Sequence, residues 1–159
     1  MRFFFIILFI SNYAQSQSEF EVMAKNMASK FGAPIMSVEQ LKSEGKVVIF
    51  DARELKEFNI SHIPGANFVG FQNFDIAQIK AKFKKENKIV VYCSVGYRSG
   101  KIAQILNEQG FKAFNLLGGI FDWSNKGHDL RDSKEKKTSE IHSYNSDWSK
   151  WLTRGKIIN

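Results

Sequence analysis

Short apolar runs alternate with amphipathic segments along the chain, and the two patterns predict strands and helices in turn. The runs that predict strands lie at residues 35–36, 46–50, 66–69, 89–92 and 111–116. Continuous apolar runs without alternation are typical of strands that are covered on both faces. The sequence therefore predicts an α/β domain with a central, mostly parallel β-sheet and helices on both faces.

Capping residues and glycines predict where the helices begin and end. Residues 18–21 (SEFE) form a Ser-x-x-Glu capping box, and the helix that they open ends at Gly32. Residues 37–40 (SVEQ) form a second box, for a helix that ends at Gly45. Further helices are expected at 54–58, around 76–83, and from Ser99 to Gly110. The apolar face of the first helix comprises Phe20, Met23, Met27 and Phe31.

The first sixteen residues have the pattern of a secretory signal peptide. Met1-Arg2 is positively charged, residues 3–10 are apolar, and Ala14-Gln15-Ser16 suits cleavage before Gln17. The apolar run is far shorter than the ~18 residues of a membrane-spanning helix, so we expect no stable membrane insertion. We expect an exported protein, periplasmic if it comes from a Gram-negative bacterium and otherwise secreted.

The charge of the chain narrows the range of partners. The formal net charge is +7, and much of the excess lies in residues 80–85 and 131–137. Such runs are usually solvated faces, and we expect no nucleic-acid binding by an exported protein. A cationic surface favours a small anionic substrate. The sequence leaves the oligomeric state open.

The single cysteine, Cys93, directly follows the apolar strand at 89–92. Ligands of parallel α/β sheets bind at the carboxyl ends of strands. The backbone N–H groups that follow, a tight turn at Gly96, the next helix N-terminus and the charge of Arg98 would each stabilise a thiolate. The pattern favours a reactive cysteine whose pKa lies below the free value of ~8.5. The alternative is a small buried hydrophobe at a strand end.

Three motifs fall in an order that is specific for one family. They are the loop Cys93 to Ser99 (CSVGYRS), Leu117-Gly118-Gly119 with Trp123, and an upstream segment with Asp51-Ala52-Arg53-Glu54, Glu57-Phe58 and Ser61 to Ala66. Together they resemble the rhodanese-like domain, in particular single-domain sulfurtransferases, although that family usually has Gly where this chain has Ser61. The resemblance spans roughly residues 37–127. It leaves 17–36 as an N-terminal helical extension and 128–159 as a C-terminal extension with a short helix.

The resemblance implies a covalent, two-step transfer of sulfane sulfur. Cys93 would attack a small anionic donor such as thiosulfate, and a thiol or protein thiol would then accept the sulfur from the Cys93 persulfide. Neither a metal nor a cofactor is implied. The N–H groups expected to hold the persulfide and bind the substrate belong to Ser94, Val95, Gly96, Tyr97, Arg98 and Ser99. Asp51, Arg53 and His62 are interpreted as scaffold.

Two other functions are compatible with this fold. Related phosphatases have a longer loop between cysteine and arginine than the four residues 94–97 found here, so the sequence argues against phosphatase or arsenate reductase activity. The alternative from another class is a non-catalytic binding or persulfide-carrier module. The intact cysteine loop disfavours a module that keeps the fold for protein binding alone. Arg98 has two possible roles, to orient an anionic donor or to hold the loop through carbonyls or a carboxylate. Val95 and Tyr97 make the pocket mouth less cationic, so thiosulfate need not be the physiological donor.

The C-terminal extension is predicted to be a charged loop over 128–140, followed by a capped helix over 146–154. Trp148, Trp151 and Leu152 share one face of that helix, and we expect the tail to pack back on the domain against the N-terminal helix. A partner-docking surface is the minority interpretation. The sequence leaves open whether His142 and Tyr144 reach the active site. Asn59-Ile60-Ser61 is a glycosylation sequon that matters only in a eukaryotic secretory route.

Overall fold

A computed structural model describes residues 19–159 of the protein. The predicted signal peptide, its cleavage site before Gln17, and Ser18 of the first capping box lie outside the described residues. Within the described part of the chain, no helix is long and apolar enough to cross a bilayer.

A five-stranded, fully parallel sheet forms the centre of the domain, with strand order β1-β5-β4-β2-β3. The strands are β1 Ile35–Met36, β2 Val48–Asp51, β3 Asn67–Phe68, β4 Lys88–Tyr92 and β5 Lys112–Leu116. Strand β4 lies at the middle, and its side chains alternate between two hydrophobic cores. Val90 and Tyr92 enter one core, whereas Ile89 and Val91 enter the other. This double burial explains the continuous apolar run and confirms the predicted α/β architecture.

Helices cover both faces of the sheet. They are α1 over residues 19–28, continued by a 3₁₀ turn at Ser29–Phe31, then α2 Val38–Ser43, α3 Leu55–Ile60, α4 Ile76–Lys82, α5 Tyr97–Glu108 and α6 Gly119–Asn125. Side chains of α1, α2 and α6 build one core, and side chains of α4 and α5 build the other.

The helix ends follow the predicted caps at two places and differ at a third. Ser37 and Gln40 form the reciprocal capping box of α2, at 3.2 and 2.8 Å. Gly32 ends the first helix in the left-handed conformation, with φ 66°. Helix α5 begins at Tyr97 rather than at Ser99. Gly96, at φ 117°, turns the chain so sharply that the helix starts directly after it.

The prediction of a loop over residues 128–140 is wrong. Strands β6 Leu130–Arg131 and β7 Lys137–Thr138 pair in an antiparallel hairpin. Asp132 organises its turn, because its carboxylate accepts the backbone N–H groups of Lys134 and Lys136 at 2.8 and 2.9 Å. Local side-chain bonds of this kind carry no apolar signal in the sequence.

The predicted helix over 146–154 is shorter than expected. Helix α7 spans Ser146–Ser149 and is capped by Asn145. Beyond it, the side chain of Asn125 binds the carbonyl of Trp151 and the N–H of Thr153, both at 2.8 Å, and this pairing holds the chain out of a helix. The chain then continues into a strand that the sequence did not predict. That strand, β9 Lys156–Ile158, pairs in parallel with β8 Glu140–His142.

The C-terminal extension packs back on the domain, as predicted. Ile141 is fully buried and Leu152 nearly so, and both belong to the core that α1 covers. The rings of Phe20 and Trp151 lie 6.1 Å apart, which places the tail directly against the N-terminal helix.

Candidate active site

Cys93 lies at the carboxyl end of the central strand β4, on the floor of a pocket of about 270 Å³. Only 2% of the residue is exposed. The start of α6 fixes the backbone here, since the N–H groups of Ile120 and Phe121 donate to the carbonyls of Cys93 and Ser94 at 2.9 and 3.2 Å. A Cβ at Gly119 would lie 2.2 Å from the Cys93 carbonyl oxygen, so this close approach requires glycine.

Two groups of the following loop donate hydrogen bonds to the Cys93 sulfur. The Gly96 N–H lies 3.2 Å from Sγ, and the Ser99 hydroxyl lies 3.4 Å from it. Ser94, Val95, Tyr97 and Arg98 line the same pocket, so all the predicted site residues gather around Cys93. They do so in different roles, because only part of the loop points at the sulfur.

Arg98 holds the loop through a buried carboxylate. Its guanidinium donates to both oxygens of Glu57, at 2.7 and 2.9 Å, and to the Ser94 hydroxyl at 3.0 Å. This bidentate geometry is the strongest form of such a pair. Burial alone would raise the pKa of Glu57, but the Arg98 hydrogen bonds and charge outweigh burial and lower it. Of the two roles considered for Arg98, the geometry shows the structural one.

The same arginine influences the cysteine. Burial by itself opposes ionisation of the Cys93 thiol, but the charge of Arg98 and the hydrogen bonds from Ser99 and Gly96 outweigh burial. The pKa of Cys93 is therefore lowered from its ordinary value. A lowered pKa raises the fraction of thiolate, which is the nucleophilic form.

Asn115 of strand β5 supports the loop from below. Its amide donates to the Gly96 carbonyl at 2.8 Å and to the Ala28 carbonyl at 3.2 Å, and its oxygen accepts from the Ser99 hydroxyl at 2.7 Å. Because a hydroxyl has one proton, donation to Asn115 competes with donation to the Cys93 sulfur. A charged sulfur is the stronger acceptor, so ionisation of Cys93 favours the bond from Ser99 to the sulfur.

Both extensions contribute walls to the pocket. Met27 and Lys30 come from the first helix and its 3₁₀ turn, and Tyr144 and Trp148 come from the C-terminal extension. Tyr144 reaches the site, with its ring 5.0 Å from the Arg98 guanidinium carbon. His142 lies one step behind it, since its Nδ1 accepts the Tyr144 N–H at 2.9 Å.

Residues 36–126 match the model of the family described as the rhodanese-like domain. The chain belongs to the rhodanese-like domain family. The thiosulfate sulfurtransferase GlpE of Coxiella burnetii is 34% identical over 85 residues, which cover 53% of this chain and 78% of GlpE.

Solved structures of other proteins share the rhodanese fold. A rhodanese-like domain protein of Staphylococcus aureus is 26% identical, with a TM-score of 0.55 over 63% of this chain and 98% of that protein. The thiosulfate sulfurtransferase of Pseudomonas aeruginosa has a TM-score of 0.59 over 84% of this chain and 26% of its own. At 19% identity, the second comparison shows the fold alone.

The upstream rhodanese motif serves as scaffold, as predicted. Asp51 and Arg53 form a fully buried ion pair at 2.6 Å, and Arg53 also donates to the Ser61 carbonyl at 2.6 Å. His62 Nδ1 lies 3.1 Å from the Phe58 carbonyl, and its Nε2 lies 3.0 Å from Glu135. These bonds tie the segment after β2 to the hairpin of the C-terminal extension.

Several residues of the site were not identified from the sequence. Glu57 lies in the upstream motif, but nothing local indicates that its partner is Arg98, which is distant in the chain. Asn115 carried a usable signal, because a polar residue in a buried strand needs a hydrogen-bond partner. Met27 and Trp148 carried only the signal of core-facing positions.

Proposed function

We propose that this protein is an exported sulfurtransferase with a single rhodanese-like domain, and that it carries sulfane sulfur on Cys93. The surroundings of the Cys93 sulfur atom are the observation that supports this proposal most strongly. Cys93 has two hydrogen-bond donors on its Sγ, a lowered pKa, and an open pocket above it. A merely packed cysteine needs none of these features.

The first step is nucleophilic attack by the Cys93 thiolate on the sulfane sulfur of an anionic donor such as thiosulfate. A new bond forms between the two sulfur atoms, the bond within the donor breaks, and sulfite leaves with the bonding electrons. The negative charge then resides on the terminal sulfur of the Cys93 persulfide. The Gly96 N–H and the Ser99 hydroxyl are placed to stabilise anionic sulfur at this position. The name of the Coxiella burnetii relative supports thiosulfate as a donor.

The second step returns the enzyme to its starting state. A thiol or protein thiol attacks the terminal sulfur of the persulfide, and Cys93 leaves as a thiolate. The two half-reactions share one site and do not overlap in time, so ping-pong kinetics are expected. The lowered pKa of Cys93 assists both steps, since a stabilised thiolate is also the better leaving group.

Export is a separate part of the proposal and rests on the N-terminal sequence. An oxidising compartment removes free thiols, and the near-complete burial of the Cys93 thiol limits its reaction with oxidants. The low exposure of the one cysteine is thus compatible with work outside the cytoplasm.

Sulfite release from thiosulfate in the presence of a thiol acceptor tests the proposed activity. Wild type is expected to release sulfite, and Cys93→Ser is expected to release none while remaining folded. A folded wild type that transfers sulfur from no sulfane donor, whether thiosulfate, thiosulfonate or persulfide, would instead support a non-catalytic binding module. Hydrolysis of para-nitrophenyl phosphate would indicate a phosphatase.

A further inference from the structure

Three residues with large, mainly apolar side chains line the Cys93 pocket from outside the rhodanese-like domain. We call Met27, Tyr144 and Trp148 the apolar collar. All three lie beyond the family match at 36–126, so the collar is built from segments outside the part of the chain that defines the family.

The collar is held in place by buried structure. Trp148 and Met27 pack against the hydrophobic core. Tyr144 has a left-handed backbone, at φ 72°, which its own N–H stabilises by donating to the buried His142. Its ring is half exposed and lies over the Arg98 guanidinium. A side chain held in an uncommon backbone conformation beside a pocket is typical of functional positioning.

The charges around the pocket favour a substrate that carries one small anionic group. Glu57 already neutralises Arg98 through two hydrogen bonds. Lys30 also lines the pocket, with its ammonium 5.4 Å from the centre of the Tyr97 ring. The pocket therefore combines one lysine and several apolar side chains with a sulfur nucleophile. Its volume of about 270 Å³ suits a molecule at or below the small end of ordinary ligands.

We propose that the apolar collar selects a sulfane-sulfur donor whose terminal anionic sulfur is joined, through a sulfonyl sulfur or a second sulfur atom, to an apolar group, in preference to inorganic thiosulfate. Thiosulfonates and organic persulfides are donors of this class. The apolar group would replace water on the rings of Tyr144 and Trp148, whereas the doubly charged thiosulfate would lose hydration there without compensation. This inference rests on the proposed sulfur transfer at Cys93.

The transfer balances without any further reactant. The Cys93 thiolate attacks the terminal sulfur of a thiosulfonate, and a new sulfur–sulfur bond forms. The bond between that sulfur and the sulfonyl sulfur breaks, and a sulfinate leaves with its electron pair. No proton, oxidant or reductant enters, and the negative charge remains on the terminal sulfur of the Cys93 persulfide.

A matched pair of donors tests the collar. Benzenethiosulfonate and methanethiosulfonate transfer sulfur by the same bond cleavage but differ in the size of the apolar group. We expect wild type to show a kcat/KM ratio that favours benzenethiosulfonate, with thiosulfate the poorest of the three. Tyr144→Asn and Trp148→Ala should each lower the benzene-to-methane ratio by about tenfold, equivalent to roughly 1.4 kcal/mol. Asparagine is chosen at position 144 because it tolerates the left-handed backbone.

Controls separate the collar from general damage to the tail. Trp151 lies in the same C-terminal segment as Trp148, but its ring packs on Phe20 and does not line the Cys93 pocket. Trp151→Ala should therefore leave the benzene-to-methane ratio unchanged. Trp148→Phe should retain most of the preference. If Trp148→Ala does not fold, the half-exposed Tyr144 still provides the decisive variant.

The outcomes distinguish the collar from the sulfur transfer itself. Equal benzene-to-methane ratios of kcat/KM in wild type, Tyr144→Asn and Trp148→Ala would overturn the proposed selectivity of the collar while leaving the sulfur transfer at Cys93 intact. A wild type that accepts thiosulfate better than benzenethiosulfonate would overturn it too. A folded wild type that turns over none of the three donors would overturn the sulfur transfer, and the collar inference with it.

Discussion

Replacing Arg98 by methionine should separate the structural and electrostatic roles of this residue. The change removes two hydrogen bonds to Glu57, of 2.7 and 2.9 Å, and leaves a carboxylate that is 1% exposed. Breaking a buried ion pair by removing one partner costs about 3–5 kcal/mol. We expect a loss near the lower limit, about 3 kcal/mol, because Arg98 retains some solvent contact and the Glu54 N–H still donates to Glu57.

The same substitution should raise the pKa of Cys93, since the charge of Arg98 is the largest contribution that lowers it. Companion variants provide a double-mutant cycle. In Glu57→Gln, Arg98 loses its counter-charge, and the pKa of Cys93 should fall below that of wild type. In the double variant both charges are absent, so we expect stability above that of Arg98→Met. We expect the pKa of Cys93 to be lowest in Glu57→Gln, higher in wild type, higher again in the double variant, and highest in Arg98→Met.

Two measurements are made on each variant of the Arg98–Glu57 double-mutant cycle. The rate of alkylation by iodoacetamide as a function of pH gives the pKa of the only cysteine in the chain, and urea unfolding gives the free energy of unfolding. An Arg98→Met protein whose alkylation profile matches wild type would refute the electrostatic argument. A double variant as unstable as Arg98→Met would refute the claim that the orphaned Glu57 carboxylate causes the loss.

Three further results are expected. Insertion of one residue between Tyr97 and Arg98 should abolish most sulfur transfer, because the loop donors would no longer meet at one sulfur; an insertion variant with wild-type turnover would refute this. The pKa of Glu57 is lower in the folded protein than in the unfolded chain. The contribution of the Glu57 carboxylate to the free energy of unfolding should therefore be complete above the unfolded-state pKa of about 4.3, and it should be lost as the pH falls through the folded-state pKa. Glu57→Gln should lack that loss in urea unfolding between pH 5 and pH 2, roughly the range of such titrations. N-terminal sequencing of the protein exported by its native host should begin at or near Gln17, and retention of Met1 on a cytoplasmic product would contradict export.

The central sheet could be predicted from the sequence because its signals are local. The run that forms β4 is apolar on both faces, and the alternation of Val90 and Val91 between two cores is its direct consequence. The capping box of Ser37 and Gln40 likewise lies within one helical turn. An apolar run of this kind predicts a strand wherever both faces of the sheet are buried, whatever the distant segments that bury them.

The walls of the site could not be predicted, because they depend on contacts between distant segments. Tyr144 reaches Arg98 only after β8 and β9 pair in parallel, and that pairing leaves no turn signal in the sequence. The short helix α7 ends where Asn125 binds the backbone of a segment far along the chain. In both cases tertiary hydrogen bonds override the local pattern.

Mass spectrometry of the purified protein, before and after incubation with thiosulfate or benzenethiosulfonate, tests directly whether Cys93 carries sulfur as a persulfide. We expect a mass gain of one sulfur atom on the peptide that contains Cys93, reversed by dithiothreitol and absent from Cys93→Ser. Serine fits the same volume and accepts the same loop hydrogen bonds, so that variant should remain folded and serve as a clean control. A folded wild-type protein that gains no sulfur from either donor, or a Cys93→Ser protein that still gains it, would show that Cys93 does not carry the transferred sulfur.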